Sequence, residues 1–431
     1  MEFVSYLVRR LKPAAVIILL LPAACYLLLV EPAFAQDALP PDTINTIIEE
    51  ARSNNPEIQA MRQNVKAKEA RARAEGILDD PSLRVEMMDL SKENPFPTPG
   101  NAIQTRYEIS QMLPYPGKLS LQKRMALLEV LMETAELKAK EIEIITMLKE
   151  AYYEYLFIDE SIKVAKEIKG LISNMARIAE IKYATGEVAQ QDVIKAQVEL
   201  TMLINEIIVL EAEKEIVQAE IKGLLSRAQD TPLLEPEGMP EKKVDIKIGE
   251  LIDKALEVSP DLQMMRYEIE VKGLEVELAK KNYYPDFMVG IAPIQREGRF
   301  DAWDAMFQVN VPIWRTKYDN QVGAAVNTVE SLKSKLRGEE NIKAAEVKEG
   351  AIKVETADKI RMLYETSLIP QVELSFDSAL KNYQTGKVDF LTLIDTERIL
   401  KKTRIEHLDT VITYYKKVAS LERVVGEELA E

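Results

Sequence analysis

The sequence predicts a mainly α-helical chain carrying four transmembrane β-strands, with one unit of helix, strand pair and long helical hairpin written twice. Three observations lead to this fold class. First, the 431 residues are 47% apolar and 29% charged but hold only 16 Gly and 2 Trp, and Glu, Lys, Leu, Ile and Ala crowd the rest, the bias of long helices. Second, Asn55-Pro56-Glu57-Ile58-Gln59-Ala60-Met61-Arg62 returns as Ser259-Pro260-Asp261-Leu262-Gln263-Met264-Met265-Arg266, a shift of 204 that holds without a gap to Pro81 and Pro285. Third, a short stretch after each of these helical segments alternates apolar and polar residues, the period of a strand.

Along the chain, residues 1–35 place Arg9, Arg10 and Lys12 before an apolar run from Ala14 to Val30 and a small-x-small site at Ala33-Phe34-Ala35. This is the pattern of an export signal cleaved after Ala35. Pro22-Ala23-Ala24-Cys25 offers an alternative lipoprotein box, with Pro where Leu is usual, and an uncleaved anchor is the other alternative. No later stretch reaches the roughly 18–20 uninterrupted apolar residues of a membrane-spanning helix, so any further membrane crossing falls to strands.

The first repeat, residues 36–227, opens with a helix from about Thr43 to Gly76. In its strand pair, Leu83, Val85 and Met87 alternate with Arg84 and Glu86, and Ile103, Tyr107 and Ile109 with Gln104, Arg106, Glu108 and Ser110. The connection from Ser91 to Asn101, with Pro95, Pro97, Pro99 and Gly100, makes the pair a hairpin. From Leu119 to Tyr183 there is no proline and one glycine. Leu121, Leu128, Ala135 and Ile142 repeat at seven, followed by a second phase at Ala151, Ile158, Ala165, Ile172 and Ala179. Such heptads predict coiled-coil packing along a rod of about 100 Å. The turn at Thr185-Gly186 returns the chain along about Glu187 to Arg227.

A proline-bearing linker, 228–245, leads to the second repeat, 246–431. Here the same order is expected: a helix from about Ile248 to Asn282, strands around Phe287, Val289 and Ile291 and around Trp303, Phe307, Val309 and Val311, joined over Glu297 to Asp301. A long helix from about Lys317 to Tyr383, kinked at Pro370, then turns at Thr385-Gly386 and runs back from Val388 to Gly426.

Four strands with one apolar face cannot span a bilayer alone, because the outer two would expose unpaired backbone to lipid. The sheet must close with copies of itself; two copies give eight strands and three give twelve, and only a wider barrel leaves a water-filled lumen. In such a barrel Arg84, Glu86, Arg106, Glu108, Asp304 and Gln308 face the lumen, while Trp303, Phe307 and Tyr107 meet lipid. Composition narrows the function classes as well. One His and one Cys leave almost no material for a metal centre, a Ser-His-Asp triad or disulfides, so no catalysis, cofactor or metal is expected. A net charge of −15 argues against a nucleic-acid partner. Gly117-Lys118 lacks the neighbours of a phosphate loop, the scattered Met residues read as packing, and His407 reads as a surface or packing residue.

With leader, duplication, paired strands and hairpins in place, the motif Leu-Pro-Tyr-Pro-Gly-Lys at 113–118 and the two turns Tyr183-Ala184-Thr185-Gly186 and Tyr383-Gln384-Thr385-Gly386 complete a set. In order and spacing, across essentially the whole exported chain, it resembles the TolC-type outer-membrane efflux proteins. The Pro-Tyr-Pro-Gly-Lys form is similar to their heavy-metal-efflux branch. The resemblance implies a homotrimer whose twelve strands form an outer-membrane β-barrel and whose helices form a periplasmic tunnel closed at the hairpin tips. It implies a passive exit duct of a tripartite efflux or type I secretion system, fed by a periplasmic adaptor and an inner-membrane pump. By the same resemblance Asp192 and Asp395 match aperture positions, with Asp389 near enough to join them, and Gly186 and Gly386 mark adaptor-contact tips. An Asp near a helix start also commonly serves only the helix dipole. Val388 stands where an Arg is frequent in the family, which leaves a closing salt-bridge network absent or built from Lys387. A periplasmic coiled-coil adaptor or scaffold is the alternative class; it would share leader and heptads without needing paired strands in both halves.

Overall fold

The computed structural model describes residues 43–90, 98–99, 102–233, 236 and 244–429. The predicted leader with its cleavage site after Ala35, Cys25, most of the first strand connection, and 234–235 and 237–243 of the predicted linker lie outside the described residues.

Both halves run helix pair, strand pair, helical hairpin. The first comprises α1 (Ile44–Asn54), α2 (Pro56–Ala74), β1 (Ser82–Leu90), β2 (Ala102–Leu113), α3 (Lys118–Ala184) and α4 (Gln190–Leu225). The second comprises α5 (Ile248–Val258), α6 (Pro260–Lys281), β3 (Asp286–Arg296), β4 (Arg299–Asn310), α7 (Arg315–Leu363), a π-helical turn (Tyr364–Leu368), α8 (Ile369–Gln384) and α9 (Phe390–Val425).

Where one opening helix per half is expected, there are two. Proline tolerates only the first turn of a helix and pushes its predecessor to extended backbone, so the chain breaks at Asn55-Pro56 (Asn55 ψ 125°) and at Ser259-Pro260 (Ser259 ψ 121°). The first break is the better satisfied. Asn55 Oδ1 accepts from the amides of Glu57 and Ile58 at 2.9 and 3.3 Å, and its Nδ2 donates to the Leu224 carbonyl at 2.9 Å, tying α2 to the end of α4. Ser259 makes no side-chain cap.

The helix α3 runs 67 residues without interruption. Ala151, Ile158, Ala165, Ile172 and Ala179 are all buried along it; in the earlier phase Leu121 and Ala135 are buried and Leu128 and Ile142 half-buried. Its counterpart in the second half is divided. The expected kink at Pro370 takes the form of a π turn, in which the Ile369 amide donates back to the Tyr364 carbonyl. The proline ring would crowd the carbonyl four residues earlier, Thr366, and the wider turn accommodates it.

The four strands form one antiparallel sheet in the order β1-β2-β3-β4, so the β2–β3 pair joins the two halves. Strands of 9, 12, 11 and 12 residues match the length of a bilayer crossing. The second hairpin is tighter than expected: Glu297 and Gly298, at φ 45° and 81°, make a two-residue turn, and Asp301 belongs to β4. Three buried clusters hold the helices. One, around Ile172, Leu203, Phe376 and Leu393, unites both hairpins near their turns; the others centre on Leu148, Tyr155 and Ile221, and on Val347, Val354 and Leu421.

The unequal caps give a direct check. Asn55→Ala is expected to lower stability by about 1–3 kcal/mol through the lost cap and the stranded Leu224 carbonyl, and Ser259→Ala by a few tenths; thermal unfolding of the two variants side by side measures the difference.

Candidate functional site

Strand register decides which side chains share a face. Arg84 pairs with Glu108 and Glu86 with Arg106, while Ala292 pairs with Asp304 and Met288 with Gln308. Because β2 and β3 pair Arg106 with Ile294 and Ser110 with Gly290, all six residues expected on the lumen side, Arg84, Glu86, Arg106, Glu108, Asp304 and Gln308, fall on one face of the sheet. Five are linked by charge. Arg106 lies 3.6 Å from Glu86, 3.2 Å from Glu108 and 3.4 Å from Asp304, and Arg84 lies 3.7 Å from Glu86. Gln308 is exposed on the same face.

The opposite face carries Leu83, Val85, Ile103, Tyr107, Ile109, Phe287, Val289, Ile291, Trp303 and Phe307. Phe287 stacks on Phe307 with ring centres 6.0 Å apart, and the Tyr107 hydroxyl donates to Gln295 at 3.1 Å. The burial of the two faces is the reverse of a water-soluble sheet. Trp303 is 71% and Phe307 67% exposed, whereas Glu108 is 2% exposed. On the charged side Glu108 is buried and Glu86 and Arg106 are half-buried, while Arg84, Asp304 and Gln308 are exposed.

Between sheet and helices, the Leu-Pro-Tyr-Pro-Gly-Lys motif forms an elbow. Gly117, at φ 92°, precedes the first turn of α3, and Lys118 donates to both carboxylate oxygens of Asp286, the first residue of β3, at 2.9 Å. The Tyr115 amide donates to the same carboxylate at 2.8 Å, Tyr115 stacks on Tyr284 at 4.4 Å, and Lys281 lies over the Tyr115 ring. The motif thus pins the first half's strand-to-helix turn to the second half's helix-to-strand turn. Sequence reading had singled out the motif without this partner, since Asp286 lies far along the chain.

At the other end the two hairpin turns share one backbone. Gly186 and Gly386 take φ 77° and 74°, a conformation that favours glycine, with open space where a side chain would point. Each following amide reaches back to close the helix, Glu187 to Lys182 and Lys387 to Asn382, both at 2.8 Å. The Thr185 and Thr385 hydroxyls donate to carbonyls of the preceding turn at 3.0 and 3.1 Å. The side chains differ. Tyr183 is 46% exposed, whereas Tyr383 is 2% exposed, edge-on to Phe390 and beneath Lys182 of the other hairpin. Hydrogen bonds from Thr185 and then Lys182 hold the Glu187 carboxyl below the usual range.

Of the three aperture candidates, Asp192 and Asp389 sit at helix starts and Asp395 in the second turn of α9, all in unlike surroundings. Asp192, half-buried in the first turn of α4, acts on Tyr383: burial, and then the Asp192 charge, push that phenol up to about 12. Asp389 caps α9, accepting from the Thr392 hydroxyl at 2.5 Å and amide at 2.9 Å, which lowers its pKa. Asp395 is exposed and 3.8 Å from Arg398, which also pairs with Glu199 of α4. Lys387 is exposed; cross-hairpin pairing is carried farther along α9 by Arg398 and by Lys401, 2.7 Å from Glu206. The sequence marks Tyr383 only as part of the repeated turn and does not mark Arg398, because no local pattern shows which face of a helix meets the other hairpin. Among the described residues, no helix is long and apolar enough to cross a membrane, and no cluster of three or more His, Cys, Asp or Glu is placed to hold a metal ion.

A model of the outer membrane efflux protein family matches residues 47–225 and 251–427. The chain belongs to that family. Over 406 residues it is 21% identical to the cobalt-zinc-cadmium resistance protein CzcC of Cupriavidus metallidurans, covering 92% of each chain. Its fold is that of VceC, an outer-membrane protein of Vibrio cholerae (TM-score 0.72, 16% identity, 90% of this chain and 96% of that one). It is equally that of the MtrE outer-membrane channel of Neisseria gonorrhoeae (TM-score 0.73, 14% identity, 90% and 89%). This family member is therefore an outer-membrane exit duct for efflux, with its helices extending into the periplasm. The family is one of channels rather than enzymes, and the adaptor alternative finds no support.

The elbow predicts its own failure. Asp286→Ala strands Lys118 and the Tyr115 amide, and is expected to cost about 2–3 kcal/mol, read as a lowered unfolding midpoint of the detergent-solubilised protein with its helix content retained before the transition.

Proposed function

We propose that three copies of this chain close their sheets into a twelve-stranded barrel that conducts metal cations delivered by an inner-membrane pump through a periplasmic adaptor. The observation that carries the assembly is the two-faced sheet: exposed Trp303 and Phe307 on one face, a charge network around a buried Glu108 on the other, and outer strands β1 and β4 whose free edges no lipid can satisfy. Three copies supply enough strands for an open lumen, where two would leave a bore that side chains fill. Within it Arg84, Glu86, Arg106, Glu108, Asp304 and Gln308 line the water-filled side.

The tips at Gly186 and Gly386 meet the adaptor, and Asp192 and Asp395 ring the aperture, where carboxylates from three subunits favour cations. Asp389 joins them in charge, although its carboxylate is engaged as a helix cap. The processed protein begins after Ala35, and its two repeats span 36–227 and 246–431 about the linker 228–245. Support for metal cargo comes from the similarity to CzcC along 92% of the chain and from the Pro-Tyr-Pro-Gly-Lys motif.

Deleting the gene is expected to sensitise the host to cobalt, zinc or cadmium while leaving hydrophobic-drug tolerance unchanged; the reverse pattern of growth inhibition would reassign the cargo. In planar bilayers, Asp192→Ala combined with Asp395→Ala is expected to change single-channel conductance and reduce cation preference. Arg106→Gln, which removes the cation shared by Glu86, Glu108 and Asp304 and leaves only Glu86 paired, with Arg84, is expected to raise cation preference several-fold. An unaltered reversal potential in both variants removes these side chains from the conducting path.

A further inference from the structure

On the face of α9 that supplies the apolar cluster uniting the two hairpins lies a buried carboxylic acid that neither the duct nor the aperture explains. Glu397, two turns into α9, is 1% exposed, and its Oε1 has no hydrogen-bond partner among the described residues. Four buried neighbours on α9, Phe390, Leu393, Ile394 and Leu400, belong to the cluster, to which α3 brings Ile168 and Ile172, α4 Leu203, and α8 Phe376 and Ala379. This burial is complete within one chain, so assembly is not needed to create it.

The charged groups around Glu397 do not neutralise it. Lys401 and Arg398 of α9 attract its anion, but each is already paired across to α4, Lys401 with Glu206 and Arg398 with Glu199, and those two carboxylates repel it. From α3 and α8, Glu167 and Glu373 are taken by Arg404, two turns farther along α9. Burying an ion without a dedicated partner is costly, and the group takes a proton instead.

We propose that Glu397 is a proton-operated latch: protonated, it packs with the cluster that holds α8–α9 against α3–α4, and ionised, it loosens the two hairpins from each other. Burial first, opposed by Lys401 and reinforced by Glu199, pushes its pKa up to about 7. A carboxyl whose pKa is raised in the packed state favours that state at low pH. The advantage is full below the ordinary carboxylate range and is lost as pH rises to about 7, where it levels off. The hairpin end therefore tightens in acid and loosens at neutral and mildly alkaline pH. This rests on that end being the closed end of the duct, but packing is measurable whether or not the chain conducts.

The test is hydrogen–deuterium exchange of the full-length protein in detergent, corrected for intrinsic rates, in peptides covering Phe376–Leu400 and Ala165–Ile207. Between pH 5 and pH 8 the local opening equilibrium is expected to rise on the order of 50-fold, with a plateau above. Glu397→Gln is expected to abolish that slope and to keep at pH 8 the protection of the wild type at pH 5. Lys401→Met, which removes the strongest attracting charge, is expected to move the midpoint to higher pH. His407→Asn, which removes the only histidine, is expected to leave the slope intact. A flat wild-type profile, a slope that survives Glu397→Gln, a slope that disappears with His407→Asn, or an unmoved midpoint in Lys401→Met overturns the proposal.

Discussion

Backbone hydrogen bonding in lipid is the constraint on which the rest depends. A sheet that turns Trp303 and Phe307 outward and encloses Glu108 is unfavourable in water, where apolar area seeks cover and charge seeks solvent. It is favourable only where the outside is hydrocarbon. There every amide must be paired, so the edges of β1 and β4 require neighbouring copies, and the barrel follows from the unsatisfied edges. The Arg106 network fits the same environment. Three carboxylates around Arg106, with Arg84 beside one of them, keep that side polar, which suits a wetted lumen.

A barrel fixed by its edges must still be coupled to helices packed by different rules. The elbow does this with charge and stacking: Asp286 accepts three hydrogen bonds from two donors, Tyr115 N–H and Lys118, in the segment that starts α3, and Tyr115 stacks on Tyr284. Since β2 and β3 are also the strands that join the halves, one carboxylate holds together the two strand-to-helix transitions nearest the sheet's centre. The hairpin ends are held instead by side-chain packing and by the ion pairs of Arg398 and Lys401.

How much of this was legible in the sequence depended on whether a feature is local or periodic. Alternation located the strands and assigned Arg84, Glu86, Arg106, Glu108, Asp304 and Gln308 to one face, because a strand's period of two leaves no other choice once register is kept. The hairpin turns were legible because Thr followed by Gly satisfies a helix end by itself. The breaks at Pro56 and Pro260 were visible as repeated letters yet passed over as breaks, since the apolar period continues on both sides of each proline. Pairings between distant residues were not legible: Lys118 with Asp286, Asp192 near Tyr383, and Arg398 with Glu199 depend on how two hairpins are rotated about their own axes. Glu397 was hidden for the opposite reason. In a helix rich in Glu and Lys, one acid on the apolar face looks like its solvated neighbours.

The duplication sharpens that last point. Both turns have the same backbone to within a few degrees at their glycines, so the fold treats the halves alike, and what separates them is side-chain chemistry at matched positions. Tyr183 is bare and Tyr383 covered; Glu187 stands opposite Lys387; α3 is continuous while α7 and α8 are parted by a π turn. A continuous 67-residue helix resists bending, whereas a π turn beside a proline is where a long helix yields. The second hairpin thus carries the π turn that the first lacks, and it contributes Glu397, Tyr383 and Arg398 to the contact between hairpins.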